Sequence, residues 1–288
     1  MIKSELDALI TLLDDPHDQI YDQVSEKILS LGHEAIPSLE LAWESCFPGK
    51  ERAGSELLQV RIETIIHTIQ FQDVKAQLRQ WADSKDNSLL QGVLLIARYQ
   101  YPDIDLEKIN EHLGLIREDV NIEVQKTSSI LAQINAINHV LFDIHKFVGN
   151  SKNFHAPQNS FINNVLEGKK GNPLSLSILY LLVCQPLGIP VFGINLPKHF
   201  IVAFKNSSDD IQFYINPFSR GTVFDRNDVN SFLKQLNIKP RQSYYSPCSN
   251  MDMIKRILIN LEHSFNKQGY EDKVSEIKEL MSAIEEGS

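Results

Sequence analysis

The chain has 288 residues, 42% of them hydrophobic and 23% charged, with a net charge of -9. That length suits a globular protein of two or three domains with a substantial core. The acidic balance argues against wide contact with a phosphate backbone, so nucleic acid is not an expected partner.

Cys46, Cys184 and Cys248 lie far apart and form no metal-ligand spacing. A disulfide framework or zinc site is therefore not expected, and the reducing cytoplasm is the expected compartment. The opening stretch "MIKSELDALITLLDD" carries acidic residues and no cleavage-site pattern, so no secretory signal is expected. The longest apolar run, Leu174 to Cys184, contains two serines and is too short to span a bilayer, so no membrane association is expected.

In chain order, Ile2, Leu6, Leu9 and Leu13 make one apolar helical stripe. "DDPHD" breaks it, and Asp18 is the expected cap of the next helix, which carries Ile20, Val24, Ile28 and Leu31 and stops at Gly32. Pro37 sits near the start of a third. This trio resembles one HEAT-type repeat unit, although no fixed period recurs along the chain. Leu58 to Ile69 and Leu89 to Ala97 carry two further stripes. "YQYPDIDLEKI" resets the chain, with Asp103 or Asp105 as a cap, and one more helix is predicted from Ile130 to Phe147.

The texture changes after residue 150. Asn172, Pro173 and Ser175 fall at the cap, first and third positions of a helix that should end near Gln185, with Gly188 left-handed behind it. Its apolar residues point in nearly every direction, which predicts a helix buried on most sides. "VFGIN", "HFIVAF" and "IQFYINPF" then alternate with the two-residue period of strands, with "KNSSDD" as a turn. From Ser249 the chain is helical again, a hairpin joined at "NKQGYED". The pattern is α+β: a buried helix on an antiparallel sheet, divided as an N-terminal helical region (1–100), a core (101–245) and a C-terminal helical hairpin (246–288).

A buried helix whose N-terminus faces a strand histidine is the layout of thiol acyl-transfer sites, because the helix dipole lowers a thiol's pKa and the imidazole takes its proton. Here the histidine is His199 in "LPKHFIVAF", and the next strand offers Asn216 in "FYINPF". The stretch "GNPLSLSILYLLVCQPLGIPVFGINLPKHF" followed by "FYINPFSRG" resembles the transglutaminase-like branch of the papain superfamily. It is closest to a bacterial transglutaminase-like family with an N-terminal helical region and a C-terminal tetratricopeptide-like hairpin. "FVGNSKNFHAPQNSFINNVLEGKKGNP" and "MIKRILINLEHSF" share the likeness.

The resemblance implies a Gly-x-Cys start to the buried helix. Anchored on Gly188-Ile189-Pro190, it places Gly171 at the glycine and Pro173 at the nucleophile position, where proline offers no attacking atom. His199 matches the general base, and Asn216 stands where an Asp is usual. Ser175 is the substitute nucleophile to weigh, against a plain capping role. Ser177 is a weaker substitute, and Cys184, at the wrong end of the helix, is a core residue. Asn172 and Asn195 are further cleft candidates.

The expected function is a non-catalytic transglutaminase-like module that binds a protein or peptide partner without cofactor or metal. Two alternatives stay open: an amide or ester hydrolase using Ser175 with His199 and Asn216, and a helical-repeat adaptor in which the cleft is incidental.

Overall fold

A computed structural model describes residues 3–46 and 56–286. They form two compact units, one up to Ala76 and one from Gln77 onward.

The first unit is helical. It comprises α1 (Lys3–Leu12), α2 (Asp18–Leu29), α3 (Ile36–Ser45) and most of α4 (Glu56–Asp83). The stripes converge as their spacing predicts: Leu6, Leu13, Val24, Ile28, Leu39, Ile62, Ile65 and Ile69 share one buried cluster. Ile2 lies outside the described residues. The expected cap at Asp18 is corrected: Asp18 is the first helical residue, and His17 precedes it without a side-chain cap bond. Asp15 Oδ1 instead accepts from the His17 backbone N–H at 2.9 Å, so the turn is fixed one step earlier. Buried Arg61 donates to the Leu13 carbonyl at 2.9 Å, satisfying an acceptor just beyond α1.

The second unit begins with α5 (Leu89–Gln100) and α6 (Leu106–Gln125). Asp105, the second of the two candidate caps, accepts from Lys108 N at 3.0 Å at the start of α6. α7 (Ile130–Asn138) follows. The single helix expected to Phe147 is corrected here: α7 loosens into a π-helical turn over His139–Ile144, where the chain leaves the helix. His145 N donates to Val140 O, the five-residue bond that defines such a turn.

A two-residue parallel pair, β1 (Val148–Gly149) with β2 (Lys170–Gly171), brackets α8 (Ile162–Gly168). It delivers the chain to α9 (Pro173–Cys184), every residue of which is buried. A 3-10 turn over Gln185–Leu187 extends α9, so Pro186 tightens the end rather than cutting it, and Gly188 takes φ +73° behind it.

The sheet is antiparallel throughout, in the order β3 (Val191–Ile194), β4 (Ile201–Lys205), β5 (Ile211–Asn216), β6 (Thr222–Phe224). Alternation gives it two faces. Ile201 and Ala203 of β4 join Val229 and Leu233 of α10 (Arg226–Gln235) in one cluster. α9 packs against β3 and β4, where Val202 and Phe204 point the other way. The helix is thus enclosed by a sheet on one side and helices α5, α6 and α8 on others. The terminal hairpin pairs α11 (Asn250–Gln268), capped by Ser249, with α12 (Glu271–Glu286), and Gly269 makes the left-handed turn between them. No helix among the described residues is long and apolar enough to cross a membrane.

Candidate functional site

The start of α9 is locked by reciprocal bonds. Asn172 Oδ1 accepts from Ser175 N at 2.9 Å, and Ser175 Oγ accepts from Asn172 N at 3.0 Å. Asn172 Nδ2 also donates to Ser160 Oγ at 3.1 Å. Pro173 occupies the first helical position, where its missing N–H costs nothing. The Ser175 hydroxyl is therefore turned back into the cap, its Oγ donating to the Asn172 carbonyl at 3.3 Å. A Cβ on Gly171 would lie 2.6 Å from Ser175 Oγ, so glycine is required for this close approach. Ser177 Oγ donates to the Pro173 carbonyl at 2.8 Å within the helix. Cys184 is fully buried, and that burial pushes its thiol well above the ordinary range.

The β4–β5 pairing sets Val202 opposite Ile215. That register brings the residues just before β4 beside the end of β5, and His199 Nε2 lies 3.2 Å from Asn216 Oδ1. The same oxygen accepts from the Ser219 backbone N–H at 3.4 Å. Asn216 Oδ1 is thus an acceptor, which assigns the proton to His199 Nε2 and leaves Nδ1 as the free ring nitrogen. Phe218 meets the imidazole edge-on and Phe232 at a tilt. Burial holds His199 below its ordinary pKa; the Asn216 bond opposes this and the Arg256 charge adds to it. The ring is a neutral acceptor at pH 7.

His199 forms a wall between two clefts. The first, about 560 Å³, is lined by Asn172, Pro173 and Leu174 at the start of α9, and is completed by Lys198, Phe200 and α11. The second, about 500 Å³, holds Asn216, Ser219, Asp228 and Phe232. Pro173, His199 and Asn172 all line the first cleft. Asn216 reaches His199 from the second. Ser175 lines neither. Asn195 also lines neither: its Oδ1 accepts from Arg256 Nη1 at 3.0 Å. Among the described residues, no three His, Cys, Asp or Glu side chains converge to hold a metal ion.

Sequence reasoning missed Lys198, Arg256, His155 and His263, all of which line the first cleft. One signal was present. Arg256 and His263 stand seven apart on α11, hence on one helical face.

The transglutaminase-like superfamily model matches residues 107–259, more than half of the chain, and the chain belongs to that superfamily. It is 33% identical to the UPF0162 protein of Xylella fastidiosa over 147 residues, 51% of this chain and 52% of that protein. It is 26% identical to the UPF0162 protein of Vibrio cholerae over 145 residues, 50% of this chain and 53% of the other. Human F-box only protein 21 is 27% identical over 190 residues, 54% of this chain and 30% of that protein. The chain thus spans about half the length of the bacterial relatives it matches. No solved structure matches it.

Proposed function

We propose that this chain is a non-catalytic member of its superfamily, a protein-interaction module whose cleft beside His199 binds a protein or peptide segment. The observation that carries the reading is Pro173 at the first position of α9, facing the same cleft as His199. A thiol at a helix start gains acidity from the dipole and free N–H groups; proline brings neither a nucleophile nor a donor. The nearby Ser175 hydroxyl accepts from the Asn172 N–H and donates its proton to the Asn172 carbonyl, and Ser175 does not line the cleft with His199, so the Ser175 hydrolase has no base beside its attacking atom. What remains is a shaped, half-open cleft with an oriented imidazole, which suits recognition rather than turnover.

The test is an assay of the purified chain for peptidase, deamidase and acyl-transfer activity. The expected result is no turnover above buffer. A turnover abolished by His199→Ala would overturn the proposal.

A further inference from the structure

The cleft in front of Pro173 has a charge character opposite to that of the whole chain. The protein carries a net charge of -9, yet no carboxylate lines this cleft, while the cations Lys198 and Arg256 do, together with the imidazoles of His155 and His263. Arg256 gives one N–H to the neutral Asn195 amide at 3.0 Å. Neither Arg256 nor Lys198 pairs with an Asp or Glu among the described residues. Cations gathered in a concave surface without counter-charge raise the local concentration of anions.

The groups are also spaced. Arg256, Ile259, Asn260 and His263 follow one another at intervals of three, one and three, so they form one face of α11. Arg256 and His263 are separated by about 10 Å along the helix axis. The His155 and His263 rings lie 5.2 Å apart at the far end. Ile259, between Arg256 and His263 on α11, is 50% exposed, and Phe154, with its ring 5.2 Å from that of His155, is 40% exposed, two large apolar groups open to the cleft.

We propose that this cleft takes an extended acidic peptide segment, with one carboxylate at Lys198 and Arg256, an apolar side chain against Ile259 and Phe154, and a second carboxylate at His155 and His263. This rests on the non-catalytic reading and names the partner chemistry for the same cleft. A polyproline-II segment advances about 3.1 Å per residue and returns to the same side every three residues, so acidic residues three positions apart span the distance on one side of the chain. The imidazoles donate N–H bonds to the far carboxylate, and Arg256 offers a planar fork to the near one.

The experiment is fluorescence anisotropy with a labelled, amidated peptide of core Glu-Leu-Ala-Glu and its Gln-Leu-Ala-Gln counterpart, with mass spectrometry of both after incubation. The acidic peptide is expected to bind at least about tenfold more tightly than the amide peptide, because a hydrogen bond to a charged group outweighs a neutral one. Lys198→Gln and Arg256→Gln should each weaken the acidic peptide about tenfold, and Lys234→Gln on α10 should not. Lys198 is exposed, so its variant folds whether or not Arg256→Gln does. Equal affinity for the two peptides, or no saturable binding of the acidic one below about 1 mM, overturns this inference and leaves the non-catalytic reading standing. Conversion of the amide peptide to the acid, or cleavage of either, overturns the non-catalytic reading instead.

Discussion

Replacing Asn172 with alanine removes the residue that ties the start of α9 to its surroundings. Three contributions are lost. The Ser175 N–H loses its cap acceptor at 2.9 Å, which costs about 1 kcal/mol. The Ser160 hydroxyl, 7% exposed, loses the amide at 3.1 Å, and leaving a buried polar group unpaired costs about 1–3 kcal/mol. A small void opens where a side chain 7% exposed was packed. The total is about 3 kcal/mol, which for a unit of this size lowers Tm by about 6–12 °C. Ser175→Ala removes the acceptor of the Asn172 N–H and the longer bond to the Asn172 carbonyl, and should cost about 1–2 kcal/mol. Differential scanning calorimetry reads both, following the transition of the unit that begins at Gln77. A Tm for Asn172→Ala within about 2 °C of the parent would refute the cap as the anchor of this helix, and with it the structural assignment of the Ser175 hydroxyl.

Three further outcomes are expected. Gly171→Ala places a Cβ 2.6 Å from Ser175 Oγ and 3.0 Å from Leu176 Cγ, so it should destabilise by about 1–3 kcal/mol, read as a fall in denaturation midpoint. Cys46 and Cys184 are buried, and burial pushes Cys248 up to about 12; a thiol reagent at mild pH should therefore label the native chain slowly and the denatured chain at all three sites. His112, His155 and His199 are each held below the ordinary histidine value of 6.5, burial being the first cause in every case. The unfolded chain then binds more protons than the folded one below about pH 6.5, so stability is full above that value and falls as the pH drops through it. Tm should decline from about pH 7.5 to about pH 5.5, and His199→Gln should shrink the decline; an unchanged slope would remove His199 from the account.

Much of the core was legible because its signals are local. The Asn172-Pro173 start, the Gly188 stop and the alternation of β3 to β5 each depend on residues adjacent in the chain. The pairing of His199 with Asn216 followed from two neighbouring strands. What stayed hidden depends on subtler or longer-range causes. The π turn after α7 has the same apolar density as an α-helix, so periodicity over Ile130–Phe147 does not separate them. β6 is three residues long and is recruited by its partner β5 rather than by its own pattern. α10 starts at a reciprocal cap between Asp225 and Asp228, but its few apolar residues make only a weak stripe in the sequence. Lys198 and Arg256 come from segments far apart in sequence, and the overall acidic charge gave no hint that cations would gather in one cleft.

Lys198 holds a backbone φ of +60°, in the left-handed region that a side chain makes unfavourable by about 1 kcal/mol. Glycine there would relieve the strain, so Lys198→Gly should raise the melting temperature while depriving the cleft of a cation. Thermal robustness and ligand capture then pull this position in opposite directions, and selection for stability alone would erase the lysine.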